Sequence, residues 1–138
     1  MENVESIGID AQYMEGLEIQ MNTINGTEAG DNLIGIYLYQ CYGANSVINA
    51  NQILVTEESI GISFQISIYS AVSPVSVTNN FISNMRYSLF ASNSDNINFA
   101  NNSMSSSNTA FMVNLDGANN VSLNNNLLRE SEDIGTLY

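Results

Sequence analysis

Five asparagines, Asn22, Asn51, Asn80, Asn102 and Asn126, sit in one recurring frame of apolar residues. The frame reads Leu17-x-Ile19-x-x-Asn22-x-Ile24, then Ser46-x-Ile48-x-x-Asn51-x-Ile53 and Val75-x-Val77-x-x-Asn80-x-Ile82. It returns as Ile97-x-Phe99-x-x-Asn102-x-Met104 and Val121-x-Leu123-x-x-Asn126-x-Leu128, at steps of 29, 29, 22 and 24 residues. A unit this short cannot enclose its own apolar face, so units repeating at this period must stack on one another, which predicts a solenoid.

A second phrase travels with the first. Ile7-Gly8-Ile9, Ile34-Gly35-Ile36, Ile60-Gly61-Ile62 and Ile134-Gly135-Thr136 are near copies, and Tyr87-Ser88-Leu89 and Thr109-Ala110-Phe111 hold the same place in shorter repeats. Both phrases alternate apolar and polar residues with period two and are rich in β-branched side chains, so both predict strands. The expected fold is an all-β, single-stranded parallel β-helix over residues 1–138, with about five coils of 22–29 residues and at least two strands per coil. The repeated Asn is placed at a corner, where Asn tolerates left-handed backbone geometry and identical stacked side chains can bond along the axis.

These phrases resemble the right-handed parallel β-helix repeat proteins, the broad pectate-lyase-like class of carbohydrate-binding proteins and sugar hydrolases. The resemblance spans nearly the whole chain and implies the fold. For activity it implies only a range, from lyases and hydrolases to adhesins and structural fibres. Enzymes of that class carry clustered carboxylates, His, or Arg and Lys bases with Asp-bound calcium. This chain has no His, no Lys and no Asp-Asp pair, and the outward strand positions Ser76, Thr78, Asn98, Ala100, Ser122 and Asn124 are neutral. No catalytic residue is assigned, and no cofactor is expected beyond a candidate Ca2+.

That candidate comes from where the acids fall. Fourteen acidic residues stand against two arginines, for a net charge of −12. Glu28, Asp31, Glu57 and Glu58 cluster in the turn after the Asn corner, an oxygen-rich edge of the kind Ca2+ takes; a solvated turn edge explains them as well. So little positive charge removes the electrostatic route to nucleic acid and to anionic membranes, and no apolar run reaches membrane-spanning length. Cys41 is the single cysteine, which leaves no internal disulfide framework.

On the Gly-containing strand the outward positions read Tyr37, Ser63, Phe90 and Met112, with Tyr39 beside the first. Such a stripe serves as a subunit interface, a sugar-stacking platform or a face under a loop. The chain opens and closes on Gly-containing strand phrases with no helical cap pattern. Open strand edges of this kind fit either an excerpt of a longer solenoid or subunits stacking head to tail into fibres. The leading expectation is therefore a structural, self-associating module of an extracellular or cell-surface assembly, with itself as partner. The alternative is a fragment of a carbohydrate-binding or carbohydrate-processing β-helix protein or an adhesin.

Overall fold

The computed structural model describes residues 6–26, 33–54, 59–69, 71–83, 86–106 and 113–130. Its strands run β1 (Ser6–Gln12), β2 (Glu18–Gln20) and β3 (Thr23–Asn25) in the first coil. The second holds β4 (Leu33–Tyr39), β5 (Tyr42–Gly43), β6 (Val47–Asn49) and β7 (Gln52–Leu54). The third holds β8 (Ile60–Gln65), β9 (Ile68–Tyr69), β10 (Val75–Thr78) and β11 (Phe81–Ser83). The fourth has β12 (Tyr87–Ser92), β13 (Asp95–Ala100) and β14 (Ser103–Ser106), and the fifth β15 (Val113–Asp116), β16 (Asn119–Asn124) and β17 (Leu127–Glu130).

Equivalent strands pair in parallel into three sheets. Sheet A stacks β1, β4, β8, β12 and β15; sheet C stacks β3, β7, β11, β14 and β17; sheet B carries β2, β6, β10, β13 and β16, with β9 and β5 on a side branch. Each coil is thus a three-sided turn of a parallel β-solenoid. The third side is the Asn-x-Ile segment itself, a strand of only three or four residues.

Register carries the sequence frame up the axis. Ile9, Ile36, Ile62, Leu89 and Val113 form one column of sheet A. Ile19, Ile48, Val77, Phe99 and Leu123 form the column of sheet B, and Ile24, Ile53, Ile82, Met104 and Leu128 that of sheet C. Bulk is traded across the interior from coil to coil. Phe64 of sheet A shares its coil with Val77 of sheet B, whereas Ala91 shares its coil with Phe99, and all four are fully buried. Such volume compensation lets coils of different composition keep one cross-section.

The glycine column has a steric cause. A Cβ on Gly35 would lie 2.5 Å from Cγ2 of Ile53 and 2.6 Å from the Gly61 carbonyl oxygen. Gly8 meets the same obstacles one coil earlier, in Ile24 and Gly35. Sheet A therefore approaches sheet C too closely at this corner for a larger residue without backbone movement. Ser88 occupies the equivalent place in the fourth coil, fully buried with its hydroxyl unpartnered.

Candidate functional site

Two corners of the coils share one device. One residue adopts a left-handed backbone, and the next, in all five coils at one corner and in the middle coils at the other, turns a polar side chain inward to hydrogen-bond. At the B–C corner the left-handed residues are Met21, Ala50, Asn79, Asn101 and Asn125, with φ between 51° and 57°. The left-handed position thus falls one residue before the repeated Asn, not on it. The repeated Asn is selected for its amide side chain.

That side chain bonds in three directions. The backbone N–H and Nδ2 of Asn22 both donate to Oδ1 of Asn51, each at 3.0 Å. Asn51 donates in the same way to Asn80, and Asn80 to Asn102, at 2.9 Å throughout. Asn102 completes the series with 2.9 and 3.1 Å bonds to Oδ1 of Asn126. Each Nδ2 from Asn51 onward also reaches a carbonyl of the preceding coil, at Ile19, Ile48, Val77 and Phe99. Asn51, Asn80 and Asn102 are only 1% exposed, so these bonds replace water for groups that cannot be left unpaired.

The column has a direction. In every Asn–Asn pair the donors lie in the earlier coil and the accepting Oδ1 in the next coil toward the C-terminus. Among the described residues, Oδ1 of Asn22 accepts no hydrogen bond, and the Asn126 backbone N–H donates none. Of the described coils, the first thus leaves an acceptor and the last a donor.

The A–B corner repeats the design with other residues. Tyr13, Gln40, Ile66 and Asn93 are left-handed, with φ between 47° and 58°, and Gly117 follows at 67°. The residues after them are Met14, Cys41, Ser67, Ser94 and Ala118. The Cys41 N–H donates to Oγ of Ser67 at 3.1 Å, and the Ser67 N–H to Oγ of Ser94 at 3.0 Å. Cys41 holds a serine's place, its Sγ 3.3 Å from the Ala11 carbonyl oxygen. The thiol is fully buried, and burial pushes its pKa up. This second column is absent from the sequence reading. Its signal was the alignment of Cys41, Ser67 and Ser94 two residues after matched sheet A positions.

The outer face of sheet A arranges the aromatic stripe differently from its sequence pattern. Tyr37, Ser63 and Phe90 are register neighbours, and the next residue in that column is Asn114. Met112 lies outside the described residues. Ser63 is fully buried, its hydroxyl unpartnered. Tyr37 and Tyr39 lie face to face at 6.4 Å, and Tyr13 meets Tyr39 edge-on at 5.6 Å. Around the corner, Tyr13, Gln40, Cys41, Tyr42, Ile66 and Ile68 line an open depression of about 310 Å3.

Glu28, Asp31, Glu57 and Glu58 all lie outside the described residues. Among the described residues no group of three or more His, Cys, Asp or Glu could hold a metal ion. The Arg86 guanidinium lies 5.3 Å from the centre of the Tyr87 ring, cation–π geometry.

In the last described coil the core residues are more exposed. Leu115, Leu123 and Leu128 are 41%, 40% and 38% exposed, whereas their register neighbours Ala91, Phe99 and Met104 are buried. Met104, Val113, Leu123, Asn125, Asn126 and Leu128 surround a cavity of about 230 Å3 there. Against protein-family models, curated proteins and solved structures alike, the chain finds no match. The class defined by its own geometry is the parallel β-solenoid.

Proposed function

We infer that this chain is a structural, non-catalytic module that associates with itself, stacking end on end into fibres in an extracellular or cell-surface assembly. The observation carrying this reading is the directional Asn column, with an acceptor at Asn22 and a donor at Asn126. Like-to-like stacking gives both a protein partner at once, in the geometry that Asn51, Asn80 and Asn102 already use. The opened core around Leu115, Leu123 and Leu128 supports the same reading, as apolar surface at a strand edge favours coverage. The absence of His and Lys from the sequence supports a role without acid–base or nucleophilic chemistry.

Sedimentation velocity and negative-stain electron microscopy of the purified chain test it. The expected result is concentration-dependent growth into thin unbranched fibres, promoted by salt because a net charge of −12 repels itself. Monodisperse single chains at all concentrations and salt levels would overturn it.

The Tyr13–Tyr39–Tyr37 shelf favours a second reading, a carbohydrate-binding segment of a longer pectate-lyase-like or adhesin solenoid. Titration with soluble polysaccharides, read by tyrosine fluorescence, separates the two. Binding that Tyr39→Ala removes supports the second reading, and no response to any glycan leaves the first.

A further inference from the structure

The geometry points to a docking surface on the flank of the solenoid, at the A–B corner of the first three described coils. It fits a cationic segment of another protein that carries one apolar anchor. The surface stands apart from the stacking contact proposed above.

Two columns of residues form it. Tyr13, Gln40, Ile66 and Asn93 stack because each backbone N–H donates to the next coil, at the carbonyls of Tyr39, Gln65, Ser92 and Asp116. Beside them Glu15, Tyr42, Ile68 and Asp95 pair in parallel register. Tyr13, Tyr42, Ile66 and Ile68 are each about half exposed. With Gln40 and Cys41 they line the open depression of about 310 Å3.

Backbone strain separates this surface from the needs of the fold. Tyr13 and Ile66 hold left-handed backbones, at φ 58° and 52°, a conformation that burdens bulky and β-branched residues most. The same corner is built by Asn93 in the fourth coil and Gly117 in the fifth, residue types that adopt it readily. Both strained side chains stay about half exposed, so packing within the chain offsets little of the cost. Strain of this kind, at residues framing a depression, fits a contact made with something else.

Charge selects the partner. Glu15 precedes Tyr42 by one strand step and Asp95 follows Ile68 by one, so two carboxylates bracket the apolar ladder about 14 Å apart. The two arginines of the chain lie elsewhere, Arg86 over the Tyr87 ring and Arg129 in β17. A second copy, at a net charge of −12, would set acids against these acids. An extended segment covers about 14 Å in four residues and turns alternate side chains to one face. The pattern Arg-x-Leu-x-Arg therefore sets a cation at each carboxylate and its leucine between Tyr42 and Ile68.

Fluorescence anisotropy of labelled Arg-Thr-Leu-Thr-Arg, titrated with the whole chain at low ionic strength, tests the surface. The chain is expected to bind it about tenfold more tightly than Arg-Thr-Ser-Thr-Arg. Glu-Thr-Leu-Thr-Glu is expected not to bind, and the affinity for the arginine peptide to fall as salt rises. Glu15→Gln combined with Asp95→Asn is expected to weaken binding and flatten that salt dependence. Ile66→Asn is expected to raise the urea midpoint while lowering affinity about fivefold, a split that a purely structural residue would not give. Equal affinity for the leucine and serine peptides, unchanged affinity in Ile66→Asn, or no binding at all overturns the proposal. Flotation with neutral phosphatidylcholine vesicles that Ile66→Asn abolishes, in place of peptide binding, assigns the surface to lipid and overturns it as well.

Discussion

The two hydrogen-bonded corners solve one problem with different discipline. At the B–C corner the inward residue is Asn in all five coils, and the spacing from sheet B column to sheet C column never departs from five residues. At the A–B corner the buried residue is Cys41, Ser67 or Ser94 in the three middle coils and gives way to an exposed Met14 and a half-buried Ala118 in the other two, and the spacing stretches by two residues in one coil and five in another. An Asn side chain supplies an acceptor for the coil before it and a donor for a carbonyl of that coil, so three groups must coincide in space. A serine or thiol uses one rotatable atom both to accept from an N–H and to reach a carbonyl, as Ser67 Oγ does at Gln65 and Cys41 Sγ at Ala11, which leaves room for insertion and substitution. The difference teaches that a planar amide, whose acceptor and donor are separate atoms fixed relative to one another, tolerates less variation at a corner than a single rotatable hydroxyl or thiol.

The comparison breaks most visibly at Asn80. Asn80→Ala removes the acceptor for the Asn51 N–H and Nδ2 and the donor to Ile48, with an expected loss of about 3 kcal/mol. Urea denaturation followed by circular dichroism reads this as a lower midpoint. Ser67→Ala orphans chiefly the Cys41 N–H and is expected to cost about 1–2 kcal/mol in the same assay. A loss equal to that of Asn80→Ala would erase the distinction between the corners.

Ile66 sharpens the contrast from the other side. It is a β-branched residue at φ 52°, nearly half exposed, in a conformation that costs L-residues about 1–2 kcal/mol. Ile66→Asn is expected to raise stability by about 1 kcal/mol, read as an upward shift of the urea midpoint. The smallest effect falls on Cys41→Ser, expected within about 1 kcal/mol of the parent because a hydroxyl fits the serine column. Its pH behaviour differs more. With the folded thiol's pKa raised, its stability contribution is whole below the ordinary thiol value of 9.0 and falls as pH climbs above it. Cys41→Ser is expected to remove that part of the alkaline decline, measured as urea midpoints between pH 8 and pH 10.

The same asymmetry governs what the amino-acid sequence reveals. Asn22, Asn51, Asn80, Asn102 and Asn126 repeat one residue type in a rigid frame, so the solenoid and its coil count are legible directly. The Cys41–Ser67–Ser94 column is hidden because residue type and spacing drift together. Sheet C is hidden as a separate layer because three-residue strands such as Thr23–Asn25 are too short to show alternation. The last member of the aromatic stripe, Met112, lies outside the described residues, and the column beside Phe90 is harder to read for a related reason. The stretch from Met104 to Val113 spans nine residues where that from Ile82 to Leu89 spans seven, and the register brings Asn114, not Met112, beside Phe90. The open ends of the Asn column depend on bond direction, which no residue identity encodes.

Under the proposed self-association, stacking gives Asn22 and Asn126 the partners they lack among the described residues. Amide hydrogen exchange at Asn126, compared with Asn51 and Asn80, tests this most directly. In dilute single chains the Asn126 amide is expected to exchange as fast as exposed backbone while Asn51 and Asn80 are protected. In assembled material, labelled and then dissociated for reading, Asn126 is expected to become as protected as they are. Protection of Asn126 already in the single chain, or exchange that stays fast after assembly, would contradict the account.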